Sequence, residues 1–347
     1  MNPNKEASSR EDDIVVYDLA AEVDPRCRGF SGAFFDGRYL YYIPLNNGQF
    51  HGVITRCDTK AAFADPASWS VFDSGHVHTD SKGFIGAIYD DRHVYFVPYQ
   101  LNFGQHHGRV MRCDTRGEFS DPSSWATFDL TALDDDCRGF HGGVFDGRDV
   151  YFCPYLVDPA QSLFASKVVR YDPHEAFDDE TAWPIYDLTA VDPTCKGFIG
   201  AVFDGRHIYF APYNNGVGRY GQVLRYDAQQ PFAAARSWDV FDTCALDAES
   251  RGFFGAVFDG RFAYFIPHCK APNVYQGQVV RCDTRGSFTS ATSWKFCDTA
   301  AVHPNNKGFI GGAFDGTHLY LPPFETEEGK PSGQTVRLRV GAEGVWT

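Results

Sequence analysis

Positive charge is scarce in this chain. The 31 Lys and Arg stand against 45 Asp and Glu, giving a net charge of −14. Proteins that hold a phosphate backbone usually present a basic face, so a nucleic-acid partner is not expected. Long hydrophobic runs are missing too, since none approaches the ~20 residues a helix needs to cross a bilayer. Residues 1–13 are polar and charged and lack the apolar stretch of a signal peptide. The expectation is a flexible segment over residues 1–13, no membrane partner and a cytoplasmic protein. Methionine occurs twice, and none of the ten Cys forms a CxxC pair, which favours reduced thiols over a disulfide framework. Cys57, Cys113 and Cys282 stand where Tyr171 and Tyr226 stand in related segments, and read as core fillers. Several chemistry-bearing motifs are also missing: G-x-S-x-G, the P-loop, a G-x-G-x-x-G at a strand–helix junction, H-E-x-x-H and the D-x-[DN]-x-[DN]-G calcium loop. No nucleotide or flavin cofactor is expected, and any catalysis must be assembled from distant parts of the chain.

What the chain has instead is aromatic residues and glycine: 31 Phe, 18 Tyr and 34 Gly. Aromatics suit pleated, half-buried surfaces, and Gly supplies turns between short strands. The motif [RK]-G-F-x-G-[AG] occurs six times, with its cation at Arg28, Lys82, Arg138, Lys196, Arg251 and Lys307, spaced 54, 56, 58, 55 and 56 residues apart. A period of that length suits one propeller blade.

Each copy reads as four strands. A short, small-sided strand turns at Asp-Gly or a near relative, a hairpin signal, and a second strand ends at Pro44, Pro98, Pro154, Pro212, Pro267 or Pro323. A third strand carries Arg56, Arg112, Arg170, Arg225, Arg281 or Arg337. A fourth follows a Trp (Trp69, Trp125, Trp183, Trp238, Trp294) and ends in Asp18, Asp73, Asp129, Asp187, Asp242 or Asp298. The last copy lacks a fourth strand at its C-terminal end, while residues 14–19 match the fourth-strand pattern. The reading is an all-β, six-bladed β-propeller over residues 14–347. Its blades start near residues 29, 83, 139, 197, 252 and 308, and the N-terminal strand closes the last blade and covers its open edge.

Residues present in every copy are best explained by blade geometry. Hydrogen bonding or ion pairing within or between blades is the expectation for the strand-four Asp and strand-three Arg, core packing for the Trp, and pairing with neighbouring acids for the ring cations. The cation alternates, Arg on odd copies and Lys on even ones. Two places after Gly stand Ile85, Ile199 and Ile310 on even copies, but Ser31, His141 and Phe254 on odd ones. This suggests a doubled unit repeated three times.

Functional residues should be those that depart from the repeat, on loops of varying length. The loops joining strands two and three vary from 7 residues (45–51) to 11 (155–165), and share a face with the loops leading into strand one. On that face His51 and His107 hold equivalent positions, His141 replaces Ile beside the axis, and His268 replaces the residue that follows Pro. These four are candidates for acid–base chemistry. In a competing reading His51, His107 and His141 converge on a transition metal such as Zn, Cu or Fe. Arg28, Arg138 and Arg251 are candidates for holding a substrate carboxylate, and Tyr99, Tyr155, Tyr213, Phe254 and Glu325 for lining the pocket. Cys27, Cys137 and Cys195 precede the ring cation and are candidate reactive thiols. His93, His207 and His318, on the opposite face, read as solvated.

The blade grammar resembles six-bladed propellers in general, a superfamily that includes strictosidine-synthase-like enzymes, lactonases and lectins. WD40 and Kelch signatures are absent, and so is the calcium-binding Glu, Asn, Asn, Asp set of a lactonase. The resemblance implies an architecture and carries no residue-specific role. Two functions stay open. One is an enzyme of lyase, isomerase or cyclase type acting on a small molecule at the axial mouth. The other is a multivalent carbohydrate-binding propeller.

Overall fold

The computed structural model describes residues 15–341 and 343–347. Five four-stranded antiparallel sheets and one three-stranded sheet follow one another along the chain in a repeated, propeller-like all-β arrangement. The first comprises Phe30–Phe35, Tyr39–Pro44, Val53–Asp58 and Trp69–Asp73. The third comprises Phe140–Phe145, Val150–Pro154, Lys167–Tyr171 and Ile185–Asp187. The fifth comprises Phe253–Phe258, Phe262–Pro267, Gln278–Asp283 and Trp294–Asp298. The second and fourth follow the same plan. The last sheet pairs Ala313–Phe314, His318–Leu321 and Val336–Arg339. Among the described residues no helix is long and apolar enough to cross a membrane.

The repeated residues make each sheet and join it to the next. The turn Asp accepts backbone amides two and three residues on, and a Tyr hydroxyl five residues on, as Asp204 does from Tyr209 at 2.8 Å. His93 and His207 lie against these same carboxylates, 3.2 Å from Asp90 and 3.3 Å from Asp204, and are not solvated side chains. Each strand-four Asp caps the short 3₁₀ turn that follows it, accepting the amide two residues on. Each Trp donates its indole N–H to the carbonyl six residues earlier. It also stacks on the strand-four ring of the preceding sheet: Phe72 on Trp125 at 4.3 Å, Phe128 on Trp183 at 4.9 Å, Tyr186 on Trp238 at 5.1 Å and Phe241 on Trp294 at 4.4 Å. Such pairs contribute about 0.5–1.5 kcal/mol beyond simple burial. These Trp are buried, as core packing requires, and do not offer exposed ring faces.

Several strand-three Arg are bonded within or between sheets as expected, Arg112 to the Tyr171 hydroxyl at 3.1 Å and Arg170 to Asp149 at 3.5 Å, and aromatic faces hold them as well. Arg56, Arg112 and Arg225 lie over Phe119, Phe177 and Phe288 of the following sheet at 4.1–4.5 Å. Their charge is held against aromatic faces, with a carboxylate added in places such as Arg225–Asp239 at 2.5 Å.

Crowding explains the motif glycines. Gly139 has φ +64°, and a Cβ there would stand 1.8 Å from the Leu156 carbonyl oxygen. Gly142 has φ +76°, and its Cβ would lie 3.3 Å from the Gly200 Cα of the next sheet.

The expected strand over residues 14–19 is not formed among the described residues. Ile14 lies outside them, residues 15–18 make no β-pairing, and the last sheet has three strands. Asp18 ends the extended run by accepting the amides of Ala20 and Ala21, which starts a short helix over Leu19–Glu22. Tyr17 nevertheless stacks on Trp69 at 6.1 Å and 17°, the relation that strand-four rings have elsewhere.

Candidate functional site

Two positions of each repeat supply the site. The residue after the strand-two Pro begins the loop to strand three, and the residue two places after the motif Gly opens strand one. Backbone bonds tie these segments together: the amides of Tyr213 and Asn214 both donate to the Gly197 carbonyl, at 3.1 Å. Similar bonds to Gly83, Gly139 and Gly252 recur in other copies. These bonds hold the two positions together within each sheet, where their side chains meet those of the same and of other sheets.

The result is a connected set of rings. His141 stands edge-on to Tyr99, Tyr155 and Phe254, with centroids 6.0, 5.5 and 5.1 Å away. Tyr155 adjoins Tyr213 at 6.1 Å, Tyr213 adjoins Phe254 at 5.8 Å, and Phe254 adjoins His268 at 5.2 Å. His268 continues the set to Tyr275 at 5.3 Å, whose hydroxyl donates to Glu325. Of the residues singled out in the sequence, His141, His268, Tyr99, Tyr155, Tyr213, Phe254 and Glu325 are thus brought together. His141, Tyr99, Tyr155 and Phe254 keep partial solvent access, while Tyr213 and His268 are buried.

Burial sets the protonation of this cluster. It pushes the pKa of both His141 and His268 down to about 4, against only weak opposing hydrogen bonds, to the Phe309 carbonyl in the case of His268. Both imidazoles are neutral at pH 7, so each offers one N–H donor and one acceptor nitrogen. Burial raises the phenol of Tyr99, and more strongly those of Tyr155 and Tyr213, keeping them protonated donors.

One participant was missed in the sequence. Arg219 occupies the position held by Phe50, His106, Phe164 and Tyr275 in other copies. Its guanidinium carbon lies 3.9 Å above the Tyr213 ring, and its Nε donates to Cys269 Sγ at 3.1 Å. The Tyr213 hydroxyl is 3.5 Å from the same sulfur. The signal was available: a cation at a position that four other copies give to a ring is a departure from the repeat.

His51 and His107 belong to the scaffold. Their Nδ1 atoms accept the backbone amides of Val53 and Arg109 at 3.3 and 3.2 Å, as Gln276 accepts that of Gln278 in the fifth copy. Their rings face Phe30 and Phe84. That employment explains why the proposed His51, His107 and His141 metal set does not assemble. Among the described residues no group of three or more His, Cys, Asp or Glu is placed to hold a metal ion.

The ring cations also differ from expectation. Arg28 is exposed. Arg138 turns back to the Asp135 carbonyl at 2.5 Å, and Arg251 lies 3.8 Å from Glu249. Arg138 and Arg251 thus serve their own loops and make no ion pair across sheets among the described residues. Cys27, Cys137 and Cys195 are buried, and burial raises all three thiols, Cys137 and Cys195 to about 12, contrary to a reactive role.

Away from His141 and Phe254, two polar clefts occupy equivalent places. Phe50, Gly52, Asp73 and Lys82 line one of about 340 Å³. Their counterparts Tyr275, Gly277, Asp298 and Lys307 line another of about 490 Å³. In the intervening odd copy, Lys167 extends to Asp134 and Asp136 at 2.7 and 2.9 Å. A larger apolar cleft of about 570 Å³ runs beside the last strand, lined in part by Phe296, Val302, Val336, Leu338 and Val345.

No protein-family model matches this chain, and none of the curated proteins matches it.

Proposed function

We propose that the chain forms a single six-bladed propeller over residues 14–347 that binds one small organic molecule at its axial mouth. Acid–base chemistry of lyase, isomerase or cyclase type is the activity proposed there. The observation that carries the reading is the meeting of His141 and Phe254. They are departures from the repeat, lie over a hundred residues apart, and face each other within the ring cluster. Rings with polar edges, a partly accessible neutral imidazole and protonated phenols suit a pocket that orients a small molecule and moves a proton. His141 and His268 are the proton-handling candidates, and Tyr99, Tyr155, Tyr213 and Phe254 the walls.

Closure of the ring is supported by the six-fold period and by Tyr17, which stands on Trp69 as Phe72 stands on Trp125. The apolar cleft beside Val336–Arg339 is the slot a fourth strand from residues 14–18 would fill.

The repeated polar clefts favour a second reading, a carbohydrate-binding propeller, since each combines an aromatic ring, a carboxylate and a lysine. Titration calorimetry across a panel of small organic acids, lactones and oligosaccharides separates the two. One site per chain, weakened by Phe254→Ala, supports the axial reading. Several equivalent sites, weakened by Asp73→Ala and Asp298→Ala and indifferent to Phe254→Ala, would establish the lectin-like one.

A further inference from the structure

The axial cluster contains one half-buried cation, and among the described residues no carboxylate lies within ion-pairing distance of it. Arg219 makes no ion pair among the described residues; its described side-chain partners are the Tyr213 face and the Cys269 sulfur. Only Nε is engaged by a protein hydrogen bond, leaving the four terminal N–H groups of the fork without a protein partner among the described residues. Glu325, the acidic residue of the ring set, accepts the Tyr275 hydroxyl and makes no ion pair with Arg219 among the described residues. The groups closest to it in the ring set are neutral at pH 7: the His141 and His268 imidazoles through lowered pKa values, the Tyr155 and Tyr213 phenols through raised ones. A partly desolvated guanidinium is retained at a cost unless an anion meets it, and a planar fork suits a carboxylate bidentately.

We infer that Arg219 is the anchor of the axial site and that its ligand is a planar, conjugated or aromatic monocarboxylate. This rests on the axial reading above. A single cation balances a single negative charge, which selects a monocarboxylate over a phosphate dianion. The rings of Tyr155, Tyr213 and Phe254 around it select a flat apolar body over a polyol. The assignment replaces Arg28, Arg138 and Arg251 as carboxylate partners, because Arg138 and Arg251 are held within their own loops and Arg28 is exposed.

The internal competitor is Cys269. If its thiol were ionised at neutral pH, the charge of Arg219 would be met within the protein, and no ligand carboxylate would be needed.

The test compares benzoate with benzamide, equal in shape and different in charge, by calorimetry on the full chain. Benzoate should bind ~10–100-fold more tightly, the range given by a charge-assisted bidentate contact. Arg219→Gln should abolish that preference, bringing benzoate down to the affinity of benzamide. Arg219→Lys should retain part of the preference, and circular dichroism checks that the variants fold. Equal binding of the two probes to the wild type, with both weakened by Phe254→Ala, overturns the carboxylate assignment and leaves the axial site standing. Failure of both probes to bind overturns the axial reading along with it. A thiolate absorbance near 240 nm at pH 7 that disappears in Cys269→Ser also overturns the assignment.

Discussion

The imidazole of His141, from the third sheet, stands at 89° to the ring of Phe254, from the fifth, with centroids 5.1 Å apart. Odd copies of the repeat depart from Ile at this position, and the fold brings two of the departures into contact. The edge-to-face arrangement lets the imidazole keep its polar edge while its body packs on apolar surface.

His141→Phe keeps the ring packing and removes both nitrogens. Its unfolding free energy should stay within about 1 kcal/mol of the wild type, whereas His141→Ala should lose about 1–3 kcal/mol. Urea denaturation measures both. A large loss in His141→Phe would show that the imidazole nitrogens hold the fold together, against a proton-handling role.

Acid should weaken the fold before the carboxylates are protonated. Burial holds His107 and His268 near pKa 4, below the about 6.5 of an unfolded histidine. Between those values the unfolded chain binds more protons, so the stability is full above about pH 6.5 and falls as pH drops toward 4. The loss between pH 7 and pH 4 should be roughly 3 kcal/mol for each imidazole. A second decline follows below pH 4 from Asp90 and Asp204. Burial opposes their charge, but hydrogen bonds from His93 and Tyr95, and from His207 and Tyr209, outweigh it and hold both near 2. Urea midpoints that do not move between pH 7 and pH 5 would contradict the first part.

Thiol accessibility separates structural from reachable cysteines. Eight of the ten Cys are buried, and Cys244 and Cys297 are the two half-buried ones. An aromatic disulfide reagent at pH 7.5 should label those two slowly and all ten in urea. Rapid native labelling of Cys137 or Cys195 would restore the reactive-thiol reading for the residue before the ring cation.

Gly139→Ala should be severely destabilising, by more than about 3 kcal/mol, because a Cβ would strike the Leu156 carbonyl at a positive φ. Gly147→Ala, also at positive φ but with open space around it, should cost about 1 kcal/mol. Thermal melts of the two variants side by side give the comparison, and equal losses would mean that φ strain alone accounts for the motif glycine.

Tyr17→Ala should lower the unfolding free energy by about 1–3 kcal/mol if the N-terminal segment belongs to the ring. The stacking on Trp69 provides the probe, since tryptophan fluorescence should change with it. An unchanged melt and spectrum would mean that this segment closes nothing.

Some of this was legible residue by residue. The strand order, the hairpin turns at Asp204-Gly205 and its relatives, and the core role of the Trp follow from local signals that every copy repeats. The axial candidates His141 and Phe254 were legible as departures from that repetition. His51 and His107 misled because a histidine at a loop end looks the same whether its Nδ1 faces a ligand or accepts the amide of Val53. Arg219 was overlooked because loop lengths vary and only the position before Tyr220-Gly221 reveals its equivalence to Phe50 and Tyr275.

The sequence by itself determined the repeated four-stranded unit, because turn chemistry, strand patterning and capping Asp residues act over a few residues and need no distant partner. Only the tertiary structure decided which side chains share a site. It turned the His51 and His107 nitrogens to the backbone, held Arg138 and Arg251 to their own loops, and set Arg219 against Tyr213 and Cys269. Those outcomes depend on how neighbouring sheets pack, since desolvation and hydrogen-bond supply at each position come from residues tens of places away in the chain.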